Sequence, residues 1–329
     1  MLNLENYIPQ LGKSVFMQPS SIMGGGVSVF GDAWYVDADN GSDDSNGQTP
    51  STAFATINKA YTSATTNNND VIFLSNAGSH TLTEMLTVSK NRIAFIGADF
   101  EARTYGQGAR VSMGVTGVAT DVATLLVTGV RNSFTGIKFS NNSTTAESLY
   151  TVADAGEYTV FNFCEIYKST DLDTESAELL AEGDSSQFNN CTIGSIADGI
   201  VGAISRPCVL FDKNTVGTSV ARDNTFTHCN FWRNAGNAAN LFVKLVANGD
   251  AERLVQFESC KFINNPLGTT MTEAIHSAAA NDRAILLFDN CVSYNATNFC
   301  GDTNNGLVFA NGVTTTGTTV GMSVQVSAS

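Results

Sequence analysis

The apolar positions of this chain recur in a fixed frame. Six segments place Phe, two intervening residues, a Cys or Ile, and in five of the six an apolar residue two places further on. They are Phe134-Thr-Gly-Ile137-Lys-Phe139, Phe161-Asn-Phe-Cys164-Glu-Ile166, Phe188-Asn-Asn-Cys191-Thr-Ile193, Phe226-Thr-His-Cys229-Asn-Phe231, Phe257-Glu-Ser-Cys260-Lys-Phe262 and Phe288-Asp-Asn-Cys291-Val-Ser293. From Ile137 to Cys291 the steps are 27, 27, 38, 31 and 31 residues. A sustained period of roughly 20 to 50 residues marks a stacked repeat architecture.

Side chains of a straight strand alternate faces, so Cys and the residue two places on share a face. Phe, three places before Cys, falls on the other face unless the chain bends between them. A sharp bend at the two intervening residues turns both inward. Asn189-Asn190, Asp289-Asn290, Glu258-Ser259 and Thr135-Gly136 suit such a turn, and Asn162-Phe163 suits it less. A second corner follows at Asn142, Asn234, Asn265 and Asn295. A third strand recurs as Ser148–Val152, Asn240–Val246 and Ala274–His276. Three short strands joined by polar corners make one coil of a solenoid.

This frame resembles the repeats of the pectin-lyase-like superfamily of right-handed parallel β-helices, over residues 34 to 306. The resemblance implies an all-β solenoid and leaves activity open, because the superfamily carries many functions. Thr49 and Pro50 form a helix-start signal, followed by Phe54, Ile57 and Tyr61 as an apolar stripe. A short amphipathic helix near 49–64 is expected to cover the open first coil, with Val71–Leu74 as the first true coil strand. Residues 1–33, with the hinge Gly24-Gly25-Gly26, read as an extended arm able to dock on another protein. Residues 307–329 alternate like strands and are expected to cap the last coil or pair between subunits.

Composition limits the partners. Hydrophobic residues make up 43% of the 329, enough for a packed core, while charged residues are only 15%. The surface is therefore built from neutral polar side chains. Seventeen basic against 31 acidic residues give a net charge of -14, which argues against nucleic acid and anionic membrane as partners. No apolar run approaches the length of a membrane span, so no membrane insertion is expected. No secretion signal is visible at the N-terminus.

Five of the seven cysteines occupy the repeat, without the close spacing of a metal site. A column of small buried thiols filling the interior is the simpler account. His228 lies in the bend before Cys229 and should face outward, so the two do not form a catalytic pair. The acidic loop from Asp37 to Gly47 offers Asp37, Asp39, Asp43 and Asp44 to calcium. It lacks the spacing of an EF-hand, and turn formation explains the same residues. No other cofactor is expected. Arg222-Asp223, Asp250-Ala-Glu252-Arg253 and Asp282-Arg283 recur at one corner of successive coils. They read either as a surface ion-pair ladder or as the acid and base groups of a glycan-cleaving enzyme, with Asp223, Asp250, Asp282 and Arg253 as the candidates.

The absence of an enzyme motif, the short arm and the missing signal favour a bacteriophage virion protein, a homotrimeric β-helix on the particle surface made in the host cytoplasm. The arm would dock on capsid or tail proteins, and a capsid decoration or cement role is preferred to a tail spike. The alternatives are a polysaccharide lyase or glycoside hydrolase, and a non-catalytic spike that binds host surface glycan.

Overall fold

The computed structural model describes residues 31–98, 108–114, 122–144, 148–168, 176–195, 206–277, 283–300, 307–315 and 324–325. The chain winds as a right-handed parallel β-helix with three sheets along its length. Among the described residues, sheet A has eleven strands, from Ala33–Val36 to Val324–Gln325. Sheet B has nine, from Ser79–Leu82 to Thr314–Thr315, and sheet C eight, from Leu86–Val88 to Ala296–Cys300.

Strands pair in parallel with their equivalents one coil away, so Phe161 lies beside both Phe134 and Phe188. Sheet A stacks Phe95, Phe134, Phe161, Phe188, Phe226, Phe257 and Phe288 inside the coil, with neighbouring ring centres 4.6 to 5.0 Å apart. The strand spacing of about 4.8 Å dictates this face-to-face stack. Phe95 extends the column one coil beyond the six recognised frames.

The bend after each Phe strand is built as its spacing requires. Its second residue adopts the left-handed conformation: Gly136, Phe163, Asn190, His228, Ser259 and Asn290 have φ between 52° and 67°. Each turns its N–H toward the next coil, as in Asn190 N–H to Thr227 O (2.9 Å) and Ser259 N–H to Asp289 O (2.8 Å). The cysteines that follow are buried, and their thiols donate to Phe carbonyls of the preceding coil, Cys229 to Phe188 and Cys260 to Phe226 at 3.2 Å. Burial pushes the Cys164, Cys191 and Cys229 thiols well above their ordinary range. They are core, and His228 is exposed on the opposite side.

The second corner differs by one residue from the expectation. Asn141 and Asn264, not Asn142 and Asn265, are the buried amides, because inward positions must keep the parity of Phe139 and Phe262. Asn264 accepts the Ala235 N–H and donates to Thr269 O and Asn295 O. Asn295 stays in the turn, with φ 60°.

The helical cap is shorter than 49–64. Pro50–Thr52 is a single 3₁₀ turn, and helix α1 (Ile57–Ser63) begins behind Thr56, whose hydroxyl accepts the Lys59 N–H. Phe54 causes the break, since it bridges to Val36 and is drawn into the core. Helix α1 buries Ile57 and Ala60, and the Lys90 ammonium closes its end by donating to the carbonyls of Tyr61 and Ala64 (2.7 Å each). Sheet A begins one strand before Val71–Leu74, with Ala33–Val36. At the other end Val308–Asn311 continues sheet A in parallel, and Val324–Gln325 pairs antiparallel on it. Residues 1–30 of the arm lie outside the described residues. Among the described residues no helix is long and apolar enough to cross a membrane.

Candidate functional site at the corner between sheets C and A

The chain passes from sheet C to sheet A through a corner that repeats in every coil. Arg131, Tyr158, Ser185, Asp223 and Arg253 each have φ between 49° and 64° there, stacking one above another. A left-handed residue in this position turns its N–H along the solenoid, as Tyr158 does to Asp184 O and Arg253 to Arg283 O, both at 2.8 Å. Their side chains are left to face outward. A register shift between Arg222 and Asn224 sets Asp223 out of the ladder.

Asp223 and Arg253, two of the four sequence candidates, meet at 2.5 Å. Arg253 also approaches Asp184 at 3.7 Å, so two carboxylates converge on one guanidinium. Arg222 bridges Glu252 (2.8 Å) and Asp184 (3.6 Å), and Arg283 adds a contact to Glu252 at 3.2 Å. Glu252 takes the place in an ion-pair ladder that its recurrence with Arg253 suggested, whereas Asp184 carries no signal in the sequence. Asp184 belongs to a coil without the Arg-Asp doublet, and only the stacking brings it alongside.

The hydrogen bond from Arg222, helped by its charge and by Arg283, holds the Glu252 carboxyl below the ordinary range, and Glu252 raises Arg222 in return. Tyr158 stands at the same corner, 49% exposed, with the Arg131 guanidinium 5.5 Å from its ring centre.

The other candidates lie elsewhere. Asp250 is buried, accepts the Ala247 N–H at 2.6 Å and lies 3.8 Å from Lys213; it closes a local turn. Asp282 falls outside the described residues. Asp37 accepts the N–H groups of Asp39 and Asn40, which help hold its carboxyl low against the opposing effect of burial. Asp43 accepts from Ala55 N–H, Thr56 N–H and the Thr56 hydroxyl. Two of the four calcium candidates thus organise the turn before α1. Among the described residues no three metal-binding side chains cluster.

Beneath the corner the interior is polar. Asp154 on the sheet C strand Tyr150–Asp154 points inward and is fully buried, and burial pushes its carboxyl up to about 6. The Ser186 and Thr159 hydroxyls and the Gly156 N–H moderate that rise. Neither hydroxyl closes hydrogen-bond geometry, and Asp154 Oδ2, Thr159 Oγ1, Ser186 Oγ and Asn224 Nδ2 are without partners. A Cβ at Gly183 would fall 2.7 Å from Asp154 Oδ2 and 2.8 Å from Ser186 Oγ, so only glycine leaves them room.

The outer face of sheet C is apolar where the coil is longest. Leu126, Ala153, Leu180 and Leu210 are buried in a cluster outside the main core, against which Val216 packs. The Glu182 carboxylate clamps that loop by accepting the N–H groups of Thr215 and Gly217 at 2.5 and 3.0 Å. Lys244 and His276 follow on the next coils, His276 Nδ1 lying 3.0 Å from Glu273.

At the corner between sheets B and C a buried ion triad replaces the amides. Arg233 forms two 2.9 Å bonds with Glu178, and Arg206 adds a third at 2.9 Å. Burial alone would raise the Glu178 carboxyl, but Arg233 and Arg206 outweigh it and hold it low.

No protein-family model and no curated protein matches the chain. Solved structures do. A pectate lyase, Pel9A, is similar with a TM-score of 0.62 and 14% identity, over 88% of this chain and 71% of its own. A rhamnogalacturonan lyase gives 0.64 and 15%, over 86% and 74%. The pectin methylesterase PemA from Erwinia chrysanthemi gives 0.57 and 13%, over 92% and 94%. At these identities the likeness shows the fold alone, a right-handed parallel β-helix.

Proposed function

We propose that this β-helix engages an extended, uronate-bearing polysaccharide at the corner between sheets C and A and cleaves it there by β-elimination. The observation that carries the reading is the convergence of Asp184 and Asp223 on Arg253 beside the exposed ring of Tyr158. The names of similar folds, two polysaccharide lyases and a pectin methylesterase, support a glycan as the ligand. Acid-assisted hydrolysis needs a carboxyl that is protonated at the working pH. Glu252 is held ionised, and the carboxyl lifted to about 6, Asp154, is sealed inside the coil. Elimination instead needs a cation and an ionised base.

Arg253 pairs with the uronate carboxylate and so acidifies the adjoining C5 proton. Asp223 removes that proton, the C5 electron pair forms the C4–C5 double bond, and the C4–O bond breaks. The departing oxygen takes its proton from solvent. Asp184 holds Arg253 in place, and Tyr158 offers a flat face to a neighbouring sugar ring.

The test is incubation with polygalacturonate, alginate, hyaluronan and host capsular glycans, following absorbance of the unsaturated product. Asp223→Asn is expected to lower the rate by about a hundredfold or more at unchanged melting temperature. Reducing ends without unsaturation would replace elimination by hydrolysis, and no product from any glycan would end the cleavage reading. The virion surface expected from the sequence is kept as the setting, with the tail spike now placed ahead of the capsid decoration preferred there, since a spike must cross host glycan. Purified particles lacking the chain would remove it.

A further inference from the structure

The outer face of sheet B carries a feature that the corner site does not use. Outward positions on successive coils align Trp232, Ile263 and Tyr294 in one column, and Tyr167 joins it two coils before Trp232, because the inward residues beside them, Ile166, Ile193 and Phe231, are in register. Their strand neighbours Ile166, Ile193, Phe231, Phe262 and Ser293 point inward and are buried. The aromatics fall on every second coil, Tyr167, Trp232 and Tyr294, so consecutive rings are about 9.5 Å apart. That is close to the length of one disaccharide unit of an extended glycan.

A second outward column runs beside it: Lys138, Glu165, Thr192, Asn230, Lys261 and Val292. Lys138 pairs with Glu165 at 3.0 Å, and its ammonium stands 4.7 Å from the Tyr167 ring centre. A flat apolar track with a hydrogen-bonding rim matches the two surfaces of a sugar chain, ring faces and hydroxyl edges.

We infer that this stripe is a second binding surface, which holds an extended glycan lengthwise on sheet B by stacking sugar rings on Trp232 and Tyr294. The width of the stripe selects the occupant. It is one residue wide and about 19 Å long over four coil steps. A second copy of the chain would need about 800 Å² per partner, far more than such a track offers. A linear polymer needs no more. The inference rests on the reading of the ligand as an extended glycan but not on cleavage.

The chain has two tryptophans, and Trp34 packs on Phe54 with its indole N–H toward Asp70, so Trp232 reports the stripe. In the non-cleaving Asp223→Asn background, cellohexaose, xylohexaose and hexagalacturonate are titrated while emission is recorded. At least one should give a saturable change of Trp232 emission. Tyr294→Ala should then raise Kd by about tenfold or more, and Trp232→Tyr should keep it within about threefold, read by calorimetry. The proposal is overturned by unchanged emission at millimolar hexasaccharide, or by a Tyr294→Ala Kd equal to that of the background. It is also overturned by self-association in ultracentrifugation that Trp232→Ala abolishes. Failure of the corner site shows as missing product, and failure here as missing binding.

Discussion

Asp154 couples the interior of the coil to pH. Its carboxyl has an ordinary value of 3.8 and is pushed to about 6 in the folded chain, because burial penalises the charged form. Between those values the folded state holds a proton that the unfolded state has released, so stability falls as pH rises. The contribution is fully present below pH 3.8 and lost as pH climbs through 6, an amount of up to roughly 3 kcal/mol. Glu178, held low, acts oppositely and loses its contribution as pH falls. Comparing Asp154→Asn with the parent cancels the Glu178 effect. The variant should gain stability over the parent at pH 8 and show no gain at pH 4, measured by denaturant midpoints; equal gains at both would refute the assignment. This residue gives no signal in sequence, since Tyr150–Asp154 ends like many strands and its neighbours Thr159 and Ser186 come from two coils. The bend residues are legible because Asn, Gly and Ser announce left-handed turns. Phe163 is not, yet it takes φ 52° because its neighbours above and below set the path.

At the scale of the element, the strand Ala177–Ala181 shows what alternation hides. It reads as apolar, but Glu178 is sealed between Arg206 and Arg233, which lie 28 and 55 residues away. Breaking a buried pair strands charge in a medium that cannot solvate it. Glu178→Gln should therefore cost about 3 to 5 kcal/mol in urea unfolding, with an intact far-ultraviolet spectrum at low denaturant. A loss below about 1 kcal/mol would mean that water reaches the triad. The corner ladder was half legible for a related reason. The doublet Arg222-Asp223 and Arg253 stand out by recurrence, whereas Asp184 enters through the bridge that sets it beside Arg222. Asp250 recurs in sequence with them but stands apart from the ladder, buried in the turn that its carboxylate closes on the Ala247 N–H.

For the whole molecule, parallel stacking was the part most open to sequence reading, because one period fixes three sheets at once. The ends were less so. Helix α1 seals the first coil with Ile57 and Ala60 and is locked by Lys90, a residue 26 places beyond Ala64. An unsealed coil offers unpaired strand edges to other molecules. Ile57→Asp should lift the helix and produce end-to-end association, seen as a rising scattering mass; a monodisperse variant would show that the edge is blocked by something else. The regular coil also makes the molecule a ruler with fixed graduations. Because Phe134, Phe161 and Phe188 stand in register at steps of 27 residues, excising one such step rejoins the Phe column, the bend and the thiol row without a seam. Height can then change only in increments of about 4.8 Å. Lineages that need a longer or shorter reach can obtain it by gaining or losing whole turns, leaving both ends unaltered.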